Sequence, residues 1–322
     1  MPLTAARHLL LALRPVGAVH RLGGHSEACP LSLRDILRAP RQEAPLPVIV
    51  APLCAVARGA LVAAQQAGAV VGLALPSGSA PEAWFEAVAT AADELAPRLP
   101  FFLSARVRVE GNDQGLVRAR AVAHRLVEAG ITHLAVDVTD VPLAKRAQAV
   151  GQVADLAAER ELAVDCVIPT DCAGNPEAAA AFLEEFEGWG IRADMVSARL
   201  QASATSMEAR EQLASLAALS KALDNRPVLR RGPLSAAFLS LLPGEMVACE
   251  DGGMAIAAGL RALPASLRGR DGHGRREPFA LPDELAERVE AFAYGEVASF
   301  IEKLGSVGSA ARLEAALATT SA

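Results

Sequence analysis

From about residue 46 the chain alternates between short β-like runs and longer segments of helical period rich in Ala, Leu, Glu and Arg. No other feature constrains the fold as much. Runs at 47–52, 70–75, 100–108, 132–138, 162–168, 193–199, 227–231 and 245–250 have the composition of strands. Segments near 57–67, 81–95, 115–129, 142–160, 176–187, 207–223, 234–242 and 253–262 have the composition of helices. Eight strands, each followed by a helix, predict a (β/α)8 TIM barrel, whose typical size is about 250 residues. A doubly wound sheet also alternates, and counting elements does not exclude it. The expected organisation is an N-terminal segment over 1–45, the barrel over 46–263, and a polar loop with a C-terminal helix over 264–322. The N-terminal segment carries a capping helix at 31–43. The loop contains "RGRDGHGRREP", and the helix after it starts near Asp283 and stops near Gly305.

Composition narrows the functional classes. Hydrophobic residues make up 52% of the 322, enough for a large core. A net charge of −6 argues against a general nucleic-acid surface. The five cysteines (Cys29, Cys54, Cys166, Cys172 and Cys249) are scattered, with no CxxC pair, as expected of reduced thiols in a cytoplasmic protein. The apolar run Leu9 to Leu13 is too short for a signal-peptide core, and no run approaches a membrane span.

The order of elements resembles the class II, metal-dependent fructose/tagatose-bisphosphate aldolases. "LSLRDILRA" is similar to that family's first helix, and "VARGALVAAQQAGAVVGLAL" to its first barrel helix and second strand. "RPVLRRGPLS" stands where the family carries a Leu-His-Gly-Gly-Ser-Gly run, and "EMVACEDGGMAIAAGLRA" where it carries Asn-Ile-Asp-Thr-Asp. "VEAFAYGEVASFIEKLGSVGSA" resembles the closing helix and turn. The resemblance implies a barrel that self-associates or partners another subunit.

The departures fall on the chemistry. In the family, histidines at strand ends hold zinc, which stabilises the enediolate. Here the family's His-Leu-Asp-His is "SARVRVEG", and Arg199 and Arg230 stand at the positions of the strand-six and strand-seven histidines. A guanidinium has no lone pair for a metal. His8, His20 and His25 precede the barrel, His124 falls within a helix, His133 opens strand four at the N-terminal rim, and His273 lies in the late loop. The standard zinc site is therefore expected to be missing. A Schiff-base mechanism needs a lysine at a strand end; Lys145 and Lys221 are expected on outer helices and Lys303 in the C-terminal helix.

Strand alternation predicts which side chains face the lumen. On that face fall Ser104, Arg106, Arg108 and Glu110; Asp137 and Thr139; Asp165; Ser197 and Arg199; and Arg230, with Glu250 or Asp251 closing strand eight. Three readings stay open. The charges pair and plug a barrel that holds no metal. Alternatively, Arg106, Arg199, Arg230 and Arg231 clamp a small anion, with Gly232, Ser235, Gly252 and Gly253 supplying backbone donors or close approach. Third, Glu110, Asp137, Asp165 and Asp251 hold Mg²⁺ or Mn²⁺ through oxygen; Glu110, Asp137 and Asp165 are also the candidate catalytic carboxylates. Cys166 and Cys172 are more simply inert buried thiols than a reactive pair. The expected function is a binding, regulatory or assembly role on an aldolase-like scaffold. The alternative is a carbon–carbon lyase with altered chemistry on a phosphorylated or carboxylated sugar-like substrate.

Overall fold

A computed structural model describes residues 9–38, 45–76, 79–169, 172, 175–232, 234–241, 248–250 and 281–320. Within them eight parallel strands close into a barrel: β1 (Leu46–Val50), β2 (Val71–Leu75), β3 (Pro100–Arg108), β4 (His133–Asp137), β5 (Ala163–Val167), β6 (Met195–Arg199), β7 (Val228–Arg231) and β8 (Ala248–Glu250). Each pairs with its sequence neighbours, and β8 pairs back onto β1 through Val48 and Glu250. Closure settles the choice between barrel and open sheet. It also leaves no strand edge exposed within the ring.

Outside the ring run α3 (Cys54–Ala67), α4 (Pro81–Leu95), α5 (Asp113–Glu128), α6 (Arg146–Glu159), α7 (Pro176–Glu187), α8 (Ser206–Ala222) and the single turn α9 (Ala236–Leu239). They follow α1 (Val16–Leu22) and α2 (Leu33–Arg38) in the chain. The helix expected over 253–262 lies outside the described residues. Local sequence explains several helix starts. Asn112 and Asn175 accept hydrogen bonds from backbone amides of the first turns of α5 and α7. Thr205 opens α8 with a reciprocal capping box to Glu208. Thr205→Ala is expected to cost about 1 kcal/mol in a denaturant titration, with the site below unaffected.

Elements that went unread in the sequence include α1. Cys29–Pro30 forms a short parallel pairing with Pro100 and Phe101 at the start of β3. After α10 (Asp283–Leu304) the chain turns at Gly305 and Gly308 into a further helix, α11 (Ser309–Thr320). Of the capping helix expected over 31–43, α2 covers Leu33–Arg38, and residues 39–43 lie outside the described residues. The C-terminal helix packs on the barrel wall as its apolar spacing implies. α10 lies along α3, where Arg58 Nε meets Glu290 at 2.9 Å. The backbone amide of Ala310 donates to Gly68. No helix of the described residues is long and apolar enough to cross a membrane.

Candidate functional site

The barrel interior is built in layers from residues two apart on each strand. At the floor, the Phe102 ring lies across Gly72 and meets the His133 ring edge-on at 6.0 Å between centroids. His133 opens β4, as expected, but its ring points into the barrel and is fully buried. Its Nδ1 lies 2.9 Å from Ser104 Oγ, and its Nε2 lies 3.6 Å from Asp165 Oδ2. The expectation missed this inward turn, although alternation from Asp137 back through Ala135 reaches His133.

The middle layer is a buried charge network. Asp165, wholly buried, accepts from Ser197 Oγ through Oδ2 and from Arg231 at 3.0 Å. Arg231 also donates through Nε to Ser197 Oγ at 2.9 Å and reaches Glu250 at 2.6 Å. Burial alone would push the Asp165 carboxyl up, but His133, Arg231 and Ser197 outweigh it and hold it below the usual carboxylate range. Burial likewise works against the Arg231 guanidinium, and Glu250 with Asp165 more than compensates.

This layer corrects one assignment. Arg230 was expected in the lumen; the structure turns Arg231 inward and Arg230 outward. The strand pairs Arg230 with Cys249 and Arg231 with Arg199, so Leu229, Arg231 and Glu250 share the inner face. Arg230 is fully buried on the other side, its guanidinium 4.8 Å from the Phe238 ring and hydrogen-bonded to the carbonyls of Gly232 and Gln201. It frames the β7–α9 loop. Gly232 belongs to the same frame: its φ is 101°, and a Cβ there would stand 2.3 Å from Leu200 O. Ser235 Oγ caps α9 at Phe238 and lies 2.6 Å from Ser203 Oγ.

Towards the C-terminal mouth, β4, β6 and β8 end in Asp137, Arg199 and Glu250, and Arg106 lies two residues before the end of β3. Arg106 and Arg199 make no side-chain hydrogen bond and no ion pair among the described residues. Neither comes within 4.0 Å of a carboxylate there. Arg106 is open to solvent, yet it sits deep enough that loss of water is the first influence on it. Repulsion from Arg231 and Arg199 opposes the pull of Asp137 and Glu250, and its pKa falls below the ordinary guanidinium value. It stays charged at any working pH. Asp137 is buried, with one oxygen accepting from the Thr139 amide at 3.1 Å. Glu250 is held through Oε2 by Arg231.

Two candidates point elsewhere. Arg108 pairs with Asp140 on the exposed rim, and Glu110 pairs with Arg118 of α5. Glu110 is therefore not brought together with Asp137 and Asp165. Among the described residues no three His, Cys, Asp or Glu side chains gather as metal ligands. The lumen-facing strand ends that a zinc site would use carry Arg199 and Arg231, so the residues present do not fit that metal. Asp251, Gly252, Gly253, His8 and His273 lie outside the described residues. Lys145 ends the 3-10 helix Leu143–Lys145 that leads into α6, and Lys221 and Lys303 lie on α8 and α10; all three are exposed. Burial pushes the Cys29 thiol up to about 12 and the Cys166 thiol well above its ordinary value, which keeps both protonated.

No family model and no curated protein matches the chain. Solved structures do. The YdjI aldolase from Escherichia coli K12 superposes with a TM-score of 0.64 at 14% identity, over 86% of this chain and 98% of that one. A putative fructose-1,6-biphosphate aldolase from Coccidioides immitis gives 0.58 at 15%, over 89% and 98%. The fructose-bisphosphate aldolase of Campylobacter jejuni gives 0.56 at 13%, over 86% and 93%. At these identities the likeness is one of fold: the chain has the barrel seen in these aldolase structures.

Proposed function

We propose that this barrel binds a small anionic molecule at its C-terminal mouth and does not carry out zinc-dependent aldol cleavage. One observation carries the reading. Arg106 on β3 and Arg199 on β6 present two guanidinium groups at the mouth, with no protein partner among the described residues. Both are exposed, so their donors are open to an anion that supplies charge-assisted acceptors. The neighbouring network supports the same reading. Arg231 is held by Asp165 and Glu250, which makes it a fixed floor beneath the mouth.

In this reading the plug and the clamp coexist on different residues. Arg231 closes the barrel from within, Arg230 braces a loop, and Arg106 with Arg199 form the clamp. Among the described residues the family's aldol chemistry finds neither a cluster of zinc ligands nor a lumenal lysine to replace them. The role is therefore recognition, either as a regulatory or assembly subunit or as the binding half of a divergent reaction.

Two assays on one preparation test this. Inorganic phosphate is expected to raise the melting temperature, and ketose-bisphosphate cleavage is expected to stay at background with zinc supplied. Zinc-dependent cleavage, or no shift with millimolar phosphate, overturns the proposal. Arg108→Ala is expected to change phosphate affinity by no more than about twofold, since its exposed pair with Asp140 contributes little.

A further inference from the structure

The mouth offers two kinds of unsatisfied group. Beside the free guanidiniums stand two carboxylates, Asp137 and Glu250, each with one oxygen that no described residue engages. Both act electrostatically on Arg106, yet neither joins it in an ion pair. Opposite charges that could have closed on each other are thus held apart. β3 and β6 carry the cations, and β4 and β8 the carboxylates. The Arg231 contact holds the Glu250 carboxylate in place, so that Glu250 does not swing toward Arg106.

Resting on the anion reading above, we infer that the ligand is zwitterionic: its anionic group lies between Arg106 and Arg199, and an ammonium group lies against Glu250 and Asp137. Charge balance favours an ammonium over a hydroxyl. Among the described residues Arg106, Arg199 and Arg231 face Asp137, Asp165 and Glu250, three charges of each sign. A ligand that is only an anion would bring its negative charge beside two carboxylates. A ligand that also carries an ammonium offsets part of that charge and gives both sets of groups a partner. Hydroxyls could donate to the same carboxylates but would leave their charge unmatched.

Three phosphate monoesters of one size test this by titration calorimetry: phosphoethanolamine, its hydroxyl analogue ethylene glycol monophosphate, and propyl phosphate. Phosphoethanolamine is expected to bind at least about tenfold more tightly than the other two, the usual worth of a charge-assisted contact. Glu250→Gln and Asp137→Asn are each expected to shrink that preference severalfold, while propyl phosphate binds at least as well as to the unmodified protein. Asp137→Asn leaves every Arg231 contact in place, so it stays informative even where Glu250→Gln loosens the network. If the three esters bind equally, or the preference survives both substitutions, the zwitterion assignment is overturned and the anion site stands. If none binds, the anion site falls, and the zwitterion with it.

Discussion

Arg231→Ala is expected to lower the unfolding free energy by about 3–5 kcal/mol, the usual cost of leaving one partner of a buried ion pair alone. Asp165 would then keep a wholly buried charge with only Ser197 and the His133 ring beside it. The loss should depend on pH, and the sign follows from the carboxyl. In the unmodified protein the folded pKa of Asp165 lies below its unfolded value. Its contribution is therefore present above the unfolded value, near 4, and is lost as pH falls through the folded value. Without Arg231 one compensating partner is gone, so the folded pKa moves up. The gain in stability as pH rises through the range near 4 should therefore be smaller in the variant than in the unmodified protein. Denaturant titrations at several pH values read both effects. Adding Asp165→Asn to Arg231→Ala should recover part of the loss by removing the buried charge.

Gly59→Val is expected to cost about 2–3 kcal/mol, or more where α10 cannot shift. Gly59 sits on α3 where α10 crosses it, and a Cβ there would stand 2.4 Å from the Glu290 carbonyl and 2.8 Å from the Tyr294 amide. Backbone on the far side cannot rotate away as a side chain can, so the helices must separate. Gly295 on α10 is the matched control, with nothing within 4 Å of an added Cβ. Gly295→Ala should stabilise by about 0.5–1 kcal/mol through helix propensity alone. Thermal melts of the two variants should therefore move in opposite directions.

The barrel was legible because its strands and helices differ in period, and period survives in a single sequence. The segment 176–187 was placed without error, since Asn175-Pro176 marks the helix start and Gly188 its end. Strand faces were legible for β3 to β6. They failed on β7, where "VLRR" offers adjacent arginines and no polar–apolar alternation to tell inside from outside. Only the pairing with β6 and β8 settles it. The inward His133 was in principle readable from its two-residue spacing to Asp137, but its place at the start of the strand drew attention to the rim. The ion partners of Arg108 and Glu110 were not legible. They depend on where the β4–α6 loop and the first turns of α5 come to rest, and rim geometry of that kind leaves no periodic trace.

The central claim is that Arg106 and Arg199 together hold an anion above a fixed Arg231. Titration calorimetry of inorganic phosphate against the unmodified protein, Arg106→Ala and Arg199→Ala tests it most directly. Each substitution is expected to weaken binding by about tenfold to a hundredfold, as loss of a charge-assisted contact requires, with the melting temperature nearly unchanged because neither arginine is paired among the described residues. Phosphate affinity that is the same in all three proteins would contradict the account.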